Sequence, residues 1–397
     1  MVVDFMKVCG VIAEYDPFHK GHAWQLKQAK EESKADYLVC VMSMSFTQRG
    51  MTALLCPHDR AEMALKNGAD IVLGVPYAFS VCDAEKFALG GVEILRRTGV
   101  VNCLSFGIEA DGKNVFSAAA ELLEAPTDAY LDKLHRGLES GISYPRAQGE
   151  ALSETLGTDP AVFSLPNTSL AICYARACAQ TNAQFDCFPI ERKGNYHDNS
   201  QTDNCESYDS ASAVRAAFHS GNFAAVRRAM PKSAYEVLMK AMNEKRIQNS
   251  EVLLPLLRWR LRNDTFDLLP DLSEGIENRF TAAADAWTRD EMVLRIKSKR
   301  YTYARINRLL AHILTQTNKN EITPLPEYAY LLGFKNNASH LLREIDKNDF
   351  PLYHRLPSGN LSSMMQLDKR ADDLWALGAS MPFGTLYRAK PVILNET

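Results

Sequence analysis

Two histidines, His19 and His22, flank Gly21 in the string GVIAEYDPFHKGH, which occupies residues 10–22. Side chains three apart on a helix share a face, so both imidazoles can be aimed at one spot. Gly21 between them lets a phosphate or a ribose approach the backbone closely. Two imidazoles converging on a triphosphate can stabilise the charge that builds as pyrophosphate leaves. Other readings compete. A histidine pair at this spacing more often serves structure or faces solvent, by roughly two to one. A metal pair is a further possibility, but no third or fourth ligand stands at suitable spacing.

The surroundings of the pair favour the catalytic reading. Residues 8–13 form a buried apolar run that predicts a strand, Asp16-Pro17-Phe18 predicts a tight turn, and a helix begins near residues 19–21. In an open parallel sheet, ligands bind beyond the carboxyl ends of the strands. There the next helix offers unpaired N–H groups and a positive dipole end to phosphate. Strand, proline turn, HxGH and helix therefore occur in the order that phosphate chemistry needs.

Further strands are predicted at 37–42, 70–75, 102–106 and 184–190. They alternate with helices over 60–66, 84–96 and 116–139 and with the one carrying Trp24, Leu26 and Ala29. Continuous apolar strands separated by helices imply an α/β doubly wound parallel sheet. Residues 195–207 read as a polar loop and 210–218 as a helix. From residue 221 the texture becomes mainly helical, with segments at 224–242, 251–262, 275–294 and 303–314 and few strand candidates. The expected division is therefore residues 1–220 and residues 221–397, with no internal repeat.

Composition limits the alternatives. The chain has 397 residues, 46% hydrophobic and 23% charged, with a net charge of −3, so any nucleic-acid contact must rest on a local basic patch. The nine cysteines form no CxxC pair and their number is odd. That argues against a zinc ribbon or a closed disulfide framework and suits a reducing compartment. No apolar run is long enough for a membrane helix, and no secretory leader is evident. The expectation is a cytoplasmic protein with no membrane partner.

The string AEYDPFHKGH resembles the EYNPFHxGH pattern of the tRNA(Met) cytidine acetate ligase family, within the HxGH nucleotidyltransferase superfamily. The likeness continues through FTQRG (46–50), RAEMALKNGADIV (60–72), SFGIE (105–109), ISYP (142–145) and LPNTSLA (165–171). It goes on through Arg192 with Tyr196-His197-Asp198, SASAVR (210–215) and KRYTYARINRLLAHILT (299–315). HxGH alone is a weak signal; the ordered series along most of the chain is a strong one.

The resemblance implies a HIGH-type Rossmann-like ATP-binding domain over 1–220 and a mainly helical, tRNA-binding domain over 221–397. It implies that acetate is activated with ATP as acetyl-adenylate and then transferred to N4 of the wobble cytidine of elongator tRNA(Met). His19 and His22 would be catalytic. The ATP site would comprise Ile12, Ala13, Glu14, Tyr15, Asp16, Pro17, Phe18, His19, Gly21 and His22 in a cradle reaching Gln25. Gly107, Asn167, Arg192, Ser210, Ser212 and Arg215 would complete it. Ser210 and Ser212 serve equally well as simple helix caps, an even bet. Mg²⁺ would accompany ATP, although no dedicated carboxylate cage is visible.

Lys297, Lys299, Arg300, Arg305 and Arg308, interleaved with Tyr301 and Tyr303, would face the tRNA. Without the resemblance, such a window is more often a solvated helix face, by roughly three to one. Against the family pattern, Asp16 replaces Asn and brings a negative charge toward the triphosphate. Met44 stands in place of Gly, Met51-Thr52 in place of Glu-Pro, and Gly74 in place of Glu. These positions keep two other readings in play: a small-molecule adenylyltransferase with another acceptor, and a non-catalytic ATP- or RNA-binding protein.

Overall fold

The computed structural model describes residues 6–191, 209–272, 275–298 and 301–395. Five parallel strands form the body of the sheet: β1 (Val8–Ala13), β2 (Tyr37–Ser43), β3 (Ile71–Val75), β4 (Cys103–Ile108) and β5 (Asp186–Glu191). Their spatial order is β5-β4-β1-β2-β3. From β1 the chain winds outward through β2 and β3, then returns to add β4 and β5 on the other side. β1 and β4 therefore flank the reversal point, where a doubly wound sheet leaves a crevice at its carboxyl edge. The strands β1 to β4 are apolar and almost wholly buried because helices cover both faces.

The sheet does not stop at the residues expected to form it. β6 (Ala329–Lys335) pairs antiparallel with β3, and β7 (Leu352–Tyr353) and β8 (Val392–Leu394) pair with β6. The half expected to hold few strands thus supplies three. Tyr328, Tyr330 and Leu332 join the sheet's own core. A separate apolar core, built on Leu257, Phe280, Met292, Ile306 and Leu310, serves the helices between residues 254 and 315. The sequence pattern missed β7 and β8 because they are only two and three residues long. It missed β6 because that strand reads as one more short apolar run, of the kind periodicity does not assign.

Three segments expected as single helices are each broken in two. The 116–139 segment divides into Phe116–Glu124 and Asp128–Glu139, and 224–242 into Phe223–Ala229 and Lys232–Asn243. Pro126 and Pro231 stand at these breaks, where a missing N–H and a steric bar on the preceding residue end the first helix. The 275–294 segment divides into Glu277–Ala283 and Arg289–Ile296, the second capped by Thr288, whose side chain accepts from Glu291 N. Among the described residues, no helix is long and apolar enough to cross a membrane.

Candidate active site

A cavity of about 410 Å³ opens at the reversal point of the sheet. Ile12 and Ala13 at the end of β1, Phe106 and Gly107 at the end of β4, and Ile190 of β5 form part of its wall. Glu14, Tyr15, Asp16, His19, Gly21, His22, Asn167, Ser210, Ser212 and Arg215 line it as well. The expected site residues from four separate stretches of chain are thus brought together. Pro17 and Phe18 do not line the cavity. Phe18 is fully buried, with its ring 4.9 Å from that of Tyr15 and 5.5 Å from that of His22. Arg192 lies outside the described residues.

The two histidines build the start of the helix Lys20–Ser33 reciprocally. His19 Nδ1 accepts from Gly21 N at 3.1 Å, and His22 Nδ1 accepts from His19 N at 3.2 Å. The rings stack with centroids 3.7 Å apart and planes 25° from parallel. Because each Nδ1 accepts, each ring carries its proton on Nε2 and is a donor there. The capping interaction therefore fixes the tautomer as well as the position. The pair is structural and chemically poised at once.

Around them, Glu14, Asp16 and Arg215 each have a defined partner. Glu14 Oε1 accepts from Gln48 N at 2.5 Å; burial pushes this carboxyl upward in pKa against the effect of that hydrogen bond. Asp16 Oδ1 accepts from Leu54 N at 2.7 Å, and its Oδ2 pairs with Arg215 Nη1 at 3.1 Å. The negative charge that replaces the family's Asn is thus matched by a cation on the same wall. Arg215 also donates to Ser212 Oγ at 3.2 Å, and Ser210 caps the helix Ala211–His219 by accepting from Ala213 N.

Asn167 is held by Glu109, which accepts from its Nδ2 at 2.7 Å and from its backbone N at 3.2 Å. The same carboxylate accepts from Thr168 N and Oγ1 at 2.7 and 2.8 Å. Burial alone would raise Glu109, but these four hydrogen bonds outweigh it and hold its pKa below the usual carboxylate value. Glu109 therefore orients the Asn167 amide on the cavity wall and caps the helix Pro166–Thr181, which lacks a cap from its own Leu165.

The residues do not fit a resident Mg²⁺. Among the described residues, no group of three or more His, Cys, Asp or Glu is placed to hold a metal ion. Among the described residues, the carboxylates that line the cavity, Glu14 and Asp16, are committed to Gln48, Leu54 and Arg215.

The expected tRNA-facing residues lie apart from this cavity. Lys297 Nζ sits 5.2 Å from the Tyr303 ring centroid, and the Arg305 guanidinium 4.9 Å from that of Tyr301. Arg305 also donates to the Asp271 carbonyl at 2.9 Å. Arg308 is turned inward, its side chain 11% exposed, with Nε 3.4 Å from Asp271 Oδ2. Lys299 and Arg300 lie outside the described residues.

The model of the HIGH nucleotidyl transferase family matches residues 6–384. A tRNA(Met) cytidine acetate ligase of Clostridium perfringens is 30% identical over 98% of this chain and 100% of its own length. The enzyme of that name from Fervidobacterium nodosum is 34% identical over 86% of this chain and 82% of its own length. The chain belongs to the tRNA(Met) cytidine acetate ligase family. The apo structure of Thermotoga maritima TmcAL superposes on it with a TM-score of 0.89 at 29% identity, covering 98% of this chain and 100% of that one. The same Thermotoga protein bound with alpha-thio ATP gives 0.87 at 28% identity and the same coverage.

Within the tRNA(Met) cytidine acetate ligase family pattern, two departures turn out to be one. A Cβ on Gly74 would collide with the Met44 sulfur and stand 3.2 Å from Tyr330 Cβ. The Met44 side chain fills the space that a side chain at 74 would need.

The expected site omitted Thr47, Gln48 and Arg49, all of which line the cavity. The signal was present in FTQRG, which directly follows β2. Any residue just past a strand's carboxyl end, next to the reversal point, is a site candidate. Leu170 and Tyr174, which supply an apolar flank with Phe106, carried no such signal.

Proposed function

We propose that this protein is an ATP-dependent tRNA(Met) cytidine acetate ligase. It activates acetate as acetyl-adenylate and transfers the acetyl group to N4 of the wobble cytidine of elongator tRNA(Met). The observation that carries this reading is the stacked His19–His22 pair, each a fixed Nε2 donor on a cavity at the sheet's reversal point. Near-full-length likeness to relatives of that name supports it.

In the first step an acetate oxygen attacks the α-phosphorus. The new bond joins acetate to AMP, the bond from α-phosphorus to the bridging oxygen breaks, and pyrophosphate leaves with the electron pair. A carboxylate is already a nucleophile, so in-line positioning and charge stabilisation do most of the work. His19 and His22 donate to the oxygens on which charge accumulates. Among the described residues, Arg215 and Arg49 line the cavity as cations that would meet the phosphates. In the second step the cytidine N4 attacks the acetyl carbon, the bond to the adenylate oxygen breaks, AMP leaves, and N4 loses a proton. Any Mg²⁺ would accompany the nucleotide rather than occupy a resident site, since the described residues offer no group of ligands for one.

The tRNA face includes Lys297 with Tyr303 and Arg305 with Tyr301. Lys297 against the exposed Tyr303 ring suits phosphate contact and base stacking, whereas Tyr301 is buried, so Arg305 brings charge without a stacking ring. The sheet-bearing part holds the nucleotide, and the helices between 254 and 315, which have an apolar core of their own, carry the RNA face. The chemistry is that of a cytoplasmic enzyme with free access to ATP and tRNA.

The test is pyrophosphate release from ATP with acetate, with and without tRNA, followed by mass analysis of the tRNA nucleosides. Acetylated cytidine at the wobble position is the expected result. Release without modified cytidine would reassign the acceptor, and ATP binding without release would remove the catalytic reading.

A further inference from the structure

Residues 47–51 form a tight hairpin that carries Arg49, and the proposed chemistry does not explain how it is anchored. Thr47 N donates to Met51 O at 2.8 Å, Gly50 N donates to Thr47 O at 2.9 Å, and Phe46 bridges to Thr52. On the cavity side it is pinned by Gln48, whose backbone N reaches Glu14 and whose Nε2 donates to Cys82 O at 2.7 Å. Arg49, between Gln48 and the tip, lines the cavity.

The tip rests on the helical part of the molecule. Gly50 has φ of +77°, and a Cβ there would stand 2.5 Å from the Asn307 carbonyl and the Arg308 nitrogen. Backbone meets backbone, so only glycine fits. Beneath this contact lies Arg289, 8% exposed. Its Nη2 donates to Asn307 Oδ1 at 3.2 Å and reaches Gly50 O at 3.5 Å. No carboxylate forms an ion pair with it among the described residues, and its Nε has no partner. Burial pushes its pKa down to about 10, with only the more distant pull of Glu251 and Asp290 opposing. A buried cation without a carboxylate is costly, and an apolar side chain of similar length would be the cheaper way to fill the space. What Arg289 supplies beyond volume is a planar fork joining the hairpin tip to the helix Tyr303–Thr315.

We propose that Arg289 is a positioning residue for nucleotide binding: it holds the 47–51 hairpin against the helix Tyr303–Thr315 and so sets Arg49 on the cavity wall. This rests on the ATP reading of the cavity but not on acetate or tRNA. It also makes the helix that bears Arg305 the backing plate of an ATP-site loop.

The test is a double-mutant cycle on ATP affinity by calorimetry, using the full-length protein with Arg49→Met, Arg289→Met and both together. Each single change should weaken ATP binding by about tenfold, the scale of one charged hydrogen bond. The double variant should be no weaker than the weaker single, and Arg289→Lys should recover part of the loss. Multiplying effects, or Arg289→Met within twofold of wild type, would overturn the proposal. So would an Arg49→Met variant that binds ATP normally. If Arg289→Met does not fold, Gly50→Ala displaces the same tip with the cation in place, and it should weaken ATP to the same degree. Unchanged affinity there would also overturn it. Wild-type protein that binds ATP but shows no acetate-dependent pyrophosphate release would refute the acetate reading and leave this cycle interpretable.

Discussion

Asp16 and Arg215, 199 residues apart in sequence, meet on the cavity wall with Oδ2 and Nη1 separated by 3.1 Å. The Asp16 backbone carbonyl accepts from the same guanidinium nitrogen. The side chain that departs from the family pattern therefore comes with its own counter-charge. Replacing Asp16 by Asn keeps an acceptor for Leu54 N and removes the charge that competes with phosphate for Arg215. ATP should bind about fivefold more tightly to Asp16→Asn, the scale of one screened charge interaction. Calorimetry at low and high salt checks it, and weaker binding would show that the pair orients Arg215 rather than restraining it.

His22→Ala removes an Nε2 donor and the acceptor for His19 N. Acetate-dependent pyrophosphate release should fall by about 10²–10³-fold, the cost of losing one charge-stabilising donor. ATP affinity should change far less. Turnover near that of wild type would end the role proposed for the HxGH pair.

Gly74 and Met44 share one volume, so each limits the other. Gly74→Ala should destabilise the protein by about 1–3 kcal/mol through overpacking. Met44→Ala combined with Gly74→Ala should recover most of that loss. Urea unfolding of the two singles and the double reads the coupling, and simple additivity would mean the Met44 side chain moves aside without cost.

Much of this arrangement was legible beforehand, and the reasons differ by residue. The crevice and its histidines followed from strand, turn and helix signals that are local in sequence. The Asp16–Arg215 pair and the Gly74–Met44 fit were not legible, because each depends on which distant side chains the fold brings within a few ångströms. Arg308 read as an exposed cation and is turned toward Asp271, since a basic window does not reveal which way its helix faces. β7 and β8 were hidden by their shortness, and β6 stands as a lone apolar run in a stretch of mainly helical texture.

The buried acids Asp368 and Asp372 predict a pH effect. Both lie on the helix Ser363–Gly378. Asp368 accepts from Tyr77 N, Tyr328 OH and Tyr330 OH, and Asp372 accepts from Ser45 Oγ. Burial pushes Asp368 up to about 6 and Asp372 to about 8, with their mutual repulsion and Asp373 adding to the latter. Arg370 pulls the other way on Asp368. An acid whose folded pKa is raised binds more protons in the native state, so stability falls as pH climbs from the unfolded value toward the folded one. Asp372 should cost up to about 1.4 kcal/mol per pH unit between roughly pH 4 and 8. Asp372→Asn should flatten that slope and be more stable than wild type at pH 8. Parallel pH profiles of the two proteins would refute this.

The pairing of β3 with β6 also sets an order of events during synthesis. Lys335 reaches back to Asp70 across 265 residues, Nζ to Oδ1 at 3.1 Å. At ribosomal speeds of about 5–20 residues per second, β3 waits on the order of 10–50 s for its neighbour. Throughout that interval the nascent sheet carries a bare, apolar edge of the kind that templates association between chains. The nucleotide half is translated first but closed last, so a chain released before residue 328 should be recovered largely as aggregate. Sedimentation of such a fragment beside the full chain would show whether the waiting edge needs a chaperone's cover.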